Sequence, residues 1–347
     1  MILSTFGLIF FSLIFYKIFL KNREIRWQFK CADFIIGIIS RYYFKIGTKN
    51  FNRARFIRAD NFVSPKLLDT NGSFKSGVLI SDVLVQSQWK EDPYENKNIP
   101  IKIFVPEISN SKNFKKLPIL VNIHGGGYVL EFNDDKSLFL SKENMIIISV
   151  KYRLAPEHKY PAALEDCYSV FDYISKKENS ILNKFADYEK IGVIGDSAGA
   201  NLSASMPFLI KERNLPIKLN LQILIYPNMF IKGETESRKK LKGKEYFLSP
   251  DLLDWFEESY LGINKYSDNI NDNTFIDLYE ERFVSPLKQK DFNGIPPALI
   301  ILATQDIIYT DGNLYSKLLS KNNVKNEVKE IESVHAFYTI RGLSEEK

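Results

Sequence analysis

The chain has 347 residues, 45% of them hydrophobic and 26% charged, a composition that excludes a disordered, collagen-like or disulfide-scaffold protein. The formal charge of +5 hints at an acidic partner, either nucleic acid or a membrane surface, but Lys17, Lys21, Arg23, Arg26 and Lys30 against Glu24 put +4 of it between Met1 and Lys30. From Cys31 to Lys347 the balance is only +1, so the body has no basic stripe with which to track phosphates, and nucleic acid is not among the expected partners.

From Ile2 to Leu20 the sequence is a continuous, mostly apolar run with one charge, Lys17, near the end where its long side chain can snorkel. As a helix this run spans about 28 Å, close to the ~30 Å hydrocarbon core of a bilayer. No basic stretch precedes it and no small-x-small cleavage pattern follows, so residues 1–22 read as a retained signal-anchor rather than a cleaved signal peptide or a core helix. Lipid headgroups are then the acidic partner. The basic cluster lies on the C-terminal side, which by the positive-inside rule predicts a cytosolic body. Residues 23–75 read as a juxtamembrane or cap segment. Within it the apolar stretch Phe34 to Ile39, cut off by Arg41 and Lys45, is too short to span and suits an amphipathic helix on the domain or the bilayer.

Residues 76–347 carry short apolar runs bounded by turns, read as strands at Gly77 to Val85, Ile99 to Val105, Leu117 to Ile123, Met145 to Val150, Ile191 to Ile194, Leu219 to Tyr226, Ala298 to Ala303 and Val328 to Ile331. Segments with helical spacing fall between several of them: Pro161 to Lys177, Ala198 to Arg213 and Asp311 to Leu319. Strands alternating with helices predict a mostly parallel sheet covered on both faces. Residues 230–285 break the alternation. They hold one helical stretch, Pro250 to Tyr260, whose Leu252, Leu253, Trp255, Phe256 and Tyr260 suit a helical cap over the binding crevice. Cys31 and Cys167 match neither a disulfide framework nor a metal-ligand spacing and read as buried or free thiols.

The chemistry is concentrated in Gly195-Asp196-Ser197-Ala198-Gly199, a G-x-S-x-G pentapeptide between a predicted strand and a predicted helix. So tight a turn exposes the serine hydroxyl at a helix N-terminus, where unpaired N–H groups favour developing negative charge, and it needs glycine two positions to either side. A serine nucleophile needs a base held by a carboxylate. The chain has three histidines, and His124 and His158 both precede the serine, leaving His335 as the base. Asp306, directly after a predicted strand, is the expected acid; Asp311 is its rival and is expected to cap the next helix instead. His124-Gly125-Gly126-Gly127 supplies backbone that can approach a substrate oxygen, so Gly125, Gly126 and Gly127 with Ala198 are the candidate oxyanion hole.

The set HGGGYV, YRLAPEHKYPAALED, GDSAGANL, LATQD and VHAF resembles the hormone-sensitive-lipase-like branch of the α/β-hydrolases. With the N-terminal anchor, the LQILIYP strand and FLSPDLLDWFEESY, it resembles the arylacetamide deacetylase and neutral cholesterol ester hydrolase group. The resemblance covers about residues 75–340. It implies an α/β-hydrolase fold with an eight-stranded sheet, and an ester or amide hydrolase acting on apolar acyl substrates without metal or organic cofactor. It further implies an anchor in the endoplasmic reticulum with a lumenal catalytic domain, which the Asn71-Gly72-Ser73 sequon suits and the charge cluster opposes. A second sequon, Asn201-Leu202-Ser203, falls in the nucleophile helix and is expected to be buried. Ser197, Asp306 and His335 become the triad, His124 to Gly127 the oxyanion motif, and Arg153 and Glu157 scaffold. Aromatic residues of Trp27 to Phe44 and of the 250–260 helix would form an apolar entrance facing the bilayer. Only the stretch from Ala336 to Lys347 follows His335, so the closing helix usual in this branch is expected to be short or missing. The same scaffold also carries non-catalytic binders of small hydrophobic ligands, which the distance from the serine hydroxyl to the histidine distinguishes.

Overall fold

The computed structural model describes residues 77–95, 97–107, 115–131, 134–241, 247–262 and 281–339. The expected anchor, the 23–75 segment, Cys31, the Asn71 sequon and the middle of the cap insertion lie outside the described residues. Among the described residues no helix is long and apolar enough to cross a membrane.

Eight strands form one sheet: β1 (Val78–Gln86), β2 (Asn98–Pro106), β3 (Leu117–Ile123), β4 (Ile146–Val150), β5 (Ala186–Asp196), β6 (Leu219–Ile225), β7 (Ala298–Gln305) and β8 (Asn326–Val334). Their order across the sheet is β1-β2-β4-β3-β5-β6-β7-β8. β2 is antiparallel to both β1 and β4, and every pairing from β4 to β8 is parallel. All eight expected strands are present. β5 starts five residues earlier than its apolar run, because Ala186 and Asp187 pair with Leu117 and Pro118 before a register shift.

The central strands are buried on both faces, as parallel strands sheathed by other elements must be. In β4, Ile146, Ile148 and Val150 join one core while Ile147 joins the other. The larger core receives α2 (Ala162–Lys176) through Leu164, Val170 and Phe171, and α4 (Ala198–Glu212) through Leu202, Met206 and Leu209. Tyr315 and Leu319 of α8 (Tyr309–Lys321) complete it. On the opposite face, Leu138 and Leu140 of α1 (Asp135–Ser141) pack with Phe337 against Phe104, Leu120, Ile194 and Ile225. Each Ile fully withdrawn from water contributes about 1.5–3 kcal/mol, so burial of these central strands supplies much of what holds the sheet together.

Helices shorter than two turns escape the periodicity: α1, α3 (Ser180–Phe185), α5 (Glu236–Lys240) and α7 (Glu281–Val284). The 230–285 insertion therefore holds more than the single expected helix. That helix, α6 (Pro250–Leu261), has the boundaries its sequence signals, with Ser249 accepting a hydrogen bond from the Leu252 N–H, proline in the first turn and left-handed Gly262 after the last.

Candidate active site

The carboxyl ends of four parallel strands converge. β3 delivers His124, β5 delivers Ser197, β7 delivers Asp306 and β8 delivers His335, each as the first residue past its strand or, for Ser197, as the turn into α4. Open parallel sheets form their binding crevice at this edge.

Ser197 has φ 55° and ψ −120°, a conformation that side chains rarely adopt, and its N–H is tied to the Ile225 carbonyl at 2.9 Å. The two flanking glycines make the turn possible. A Cβ on Gly195 would collide with the Gly199 backbone, and one on Gly199 would collide with the carbonyls of Ile123 and His124. The serine hydroxyl donates to His335 Nε2 at 2.9 Å, and His335 Nδ1 donates to Asp306 Oδ2 at 2.6 Å. Asp306 and His335 are buried, while Ser197 keeps some exposure. The second Asp306 oxygen accepts the Ile308 N–H at 3.1 Å, so the carboxylate is oriented from both sides. A continuous donor chain from hydroxyl to buried carboxylate is the geometry a serine nucleophile requires, and a broken one would have favoured the non-catalytic reading.

Asp311 does not cap a helix as expected. It lies in the first turn of α8, fully buried, and accepts Arg238 Nη2 at 2.7 Å and the Thr235 hydroxyl at 3.0 Å. His158 is also elsewhere, its ring 4.4 Å from that of Tyr94. Arg153 is scaffold, as expected: it binds Asp166 through two nitrogens and Asp92 through a third, with all three side chains buried. Asn201 is buried and its amide donates to the carbonyls of Asn228 and Val284, in keeping with an unmodified sequon. Cys167 is a buried free thiol of α2, its pKa pushed up by burial.

The glycine run needs one correction. Gly125 N–H donates to Asp196 Oδ1 at 3.2 Å and is not available to a substrate. The N–H groups of Gly126, Gly127 and Ala198 have no acceptor among the described residues, and they are the ones left to bind an oxyanion. The loop is held in its shape from within: Val129 and Leu130 N–H both donate to the Gly126 carbonyl, at 3.1 and 2.9 Å. His124 Nδ1 donates to the Gly125 carbonyl at 2.6 Å, and the Tyr152 hydroxyl donates to the His124 carbonyl at 2.8 Å. His124 stacks on Tyr152, and burial together with the Lys151 charge lowers its pKa to about 4, so it is neutral here.

The cap helix closes over this loop. Leu253 and Phe256 of α6 join Val129 on the oxyanion side and Ile307 and Ile308 on the acid side in one apolar cluster. Tyr260 stacks on Tyr128 with ring centroids 3.7 Å apart. Phe256 is expected on the sequence as a cap residue, but no spacing rule pairs it with a glycine, and the second position of G-x-S-x-G carries no required residue type, so Asp196 does not stand out as a site residue before the fold is known.

Residues 120–339 match a family described as alpha/beta hydrolase fold. The arylesterase of Saccharolobus solfataricus is 30% identical over 249 residues, 70% of this chain and 74% of its own. Carboxylic ester hydrolase LipN of Mycobacterium tuberculosis is 33% identical over 212 residues, covering 58% of this chain and 52% of its own. Among solved structures, a thermostable esterase from Pseudomonas putida superposes with a TM-score of 0.62 at 23% identity over 80% of this chain and 78% of its own, a likeness of fold. The metagenomic carboxylesterase EstE1 does so with a TM-score of 0.61 at 28% identity, covering 74% and 80%.

Proposed function

The chain belongs to the α/β-hydrolase fold family and is carboxylesterase-like, and on that footing we propose that it is a serine hydrolase in which Ser197 is the nucleophile, His335 the general base and Asp306 the residue that fixes the imidazole tautomer. The observation that carries this reading is the hydrogen-bonded chain Ser197–His335–Asp306 beside three N–H groups without acceptors among the described residues. Ser197 attacks the carbonyl carbon of an ester, and His335 takes the hydroxyl proton. The tetrahedral oxyanion is held by the N–H groups of Gly126, Gly127 and Ala198, each of which is worth about 3–4 kcal/mol in sites of this kind. His335 then protonates the leaving alcohol. Water, activated by the same imidazole, attacks the acyl-enzyme and frees the acid.

Apolar acyl groups are the proposed substrates, since Leu253, Phe256, Ile307 and Ile308 make the surroundings of the oxyanion loop and of Asp306 hydrocarbon and the body beyond Lys30 carries a charge of only +1. Arylamides are included in the proposed range on the similarity of its motifs to arylacetamide deacetylase. The proposed setting is a single-pass anchor over residues 2–20 in the endoplasmic reticulum membrane, with a lumenal catalytic domain; the length and apolarity of that run support the anchor. Ser197→Ala should abolish both turnover of a short-chain aryl ester and labelling by an organophosphonate. Activity retained by this variant would overturn the assignment, and a screen across acyl length with an aryl acetamide included would define the substrate.

A further inference from the structure

Asp196, the residue before the nucleophile, is buried and stands at the junction of three site segments. Its Oδ1 accepts the Gly125 N–H at 3.2 Å and Lys136 Nζ at 2.9 Å. Its Oδ2 accepts the hydroxyls of Thr339 at 2.9 Å and Tyr226 at 3.3 Å. Lys136 reaches it from α1, and also donates to the Thr339 hydroxyl at 3.1 Å while lying 4.7 Å from the Tyr338 ring centroid. Thr339 belongs to the turn that begins at His335, and the Tyr226 ring lies 4.7 Å from the His335 ring. One carboxylate thus joins the oxyanion loop, the nucleophile turn and the base turn, and one ammonium group bridges the last two from a helix that touches none of the reacting atoms.

α1 is itself anchored so that Lys136 has little freedom. Ser137 accepts the Asn122 amide of β3 at 2.9 Å, and the Asp134 carboxylate at its start accepts the Ser149 hydroxyl of β4 at 2.6 Å. A buried carboxylate without a counter-charge takes up a proton and loses acceptor capacity. Burial pushes the Asp196 pKa up, but the Lys136 charge and the hydrogen bonds from Lys136 and Thr339 outweigh it and hold the group below the ordinary carboxylate range.

We propose that Lys136 is a positioning residue for the hydrolytic reaction: by keeping Asp196 charged and fixed, it holds the Gly125 N–H and thereby aims the N–H groups of Gly126 and Gly127 at the oxyanion. The proposal rests on the hydrolase reading above and adds a residue to it. It also explains why Gly125 points inward while its two successors stay open.

Lys136→Met and Lys136→Gln remove the charge, and Lys136→Arg restores it. In the full chain with an aryl butyrate as substrate, both neutral variants should lower kcat by about 10- to 100-fold while KM stays within about twofold, because the loss falls on transition-state alignment. Arginine should recover most of the rate. Hydrogen exchange over residues 124–130 should quicken in the neutral variants and not in Lys136→Arg. A wild-type kcat in both neutral variants would overturn the proposal, and so would exchange in that segment unchanged from wild type. A native chain that neither turns over ester nor takes up an organophosphonate would overturn the hydrolase reading instead, and the exchange measurement would still decide whether Lys136 holds the loop.

Discussion

Phe256 occupies the space that a Cβ on Gly127 would need, its ring carbons lying well inside contact distance of that position. The cap helix and the oxyanion loop are therefore fitted to each other at one point, and the fit depends on the absence of a side chain.

Gly127→Ala tests that relationship. Gly127 has φ +60°, so alanine strains the backbone by about 1–2 kcal/mol and also pushes the Phe256 ring away. We expect a loss of about 100-fold in kcat for a short-chain ester, the magnitude associated with one displaced oxyanion donor. Adding Phe256→Ala removes the collision but not the strain, so the double variant should recover part of the rate. Equal kcat in Gly127→Ala and wild type, measured with matched melting temperatures, would refute the coupling.

Asp306 and Asp311 stand five residues apart on the sequence and should fail in different ways. Asp306→Asn removes the acceptor that fixes the His335 tautomer, and kcat should drop by about 10⁴-fold with little change in melting temperature. Asp311→Asn leaves Arg238 buried with a weakened partner set, of which Glu257 at 3.2 Å remains. That variant should lose about 3 kcal/mol of stability while the folded fraction turns over normally. Urea unfolding beside steady-state kinetics separates the two, and a kcat collapse in Asp311→Asn would reverse the assignment of the acid.

These two aspartates also show what is legible in the sequence. The central strands announce themselves because two-sided burial demands continuous apolar runs, whereas burial in the edge strands β1 and β8 largely alternates, and Ser197 and His335 follow from a strained turn and from the scarcity of histidine. Asp306 is legible by its place after β7. Asp311 misleads because aspartate near a helix start usually caps it, and nothing local reveals that Arg238, 73 residues away, claims it. Lys136 is hidden for a related reason: α1 spans seven residues, just under two turns and too short for a helical pattern to repeat, and its partner lies 60 residues on. The glycine run shows that backbone approaches the substrate but not which N–H is already engaged, since that depends on Asp196.

His124 gives the fold a pH dependence of known sign. Its pKa is lowered from 6.5 to about 4, by burial first and the Lys151 charge second, so the unfolded chain binds a proton that the folded chain refuses between those values. Stability attributable to this group is full above pH 6.5 and is lost as the pH falls toward 4, by about 3 kcal/mol over the window. His124→Gln removes the titration. The drop in urea midpoint from pH 7 to pH 4.5 should be smaller in the variant, whatever its absolute stability; parallel slopes for the two proteins would refute the account.

The N-terminal charge cluster leads to the last prediction. Lys17, Lys21, Arg23, Arg26 and Lys30 alone would hold the chain on anionic lipid by screened attraction, which high salt releases. An inserted Ile2 to Leu20 helix would hold through apolar burial, which salt does not touch. The full chain should therefore stay with membranes through a high-salt wash and through alkaline carbonate. Phe11→Asp with Ile14→Asp places two charges near the middle of the run at about 2.5–3.5 kcal/mol each and should release it while leaving the cluster intact. Release of the native chain by salt would assign the attachment to the charges, and retention of the double variant through the same high-salt wash would overturn the anchor over Ile2 to Leu20. Protease treatment of sealed microsomes then fixes the side: a protected body is lumenal, as the similarity of motifs implies, and a digested one is cytosolic, as the placement of the basic cluster at the end of the run requires.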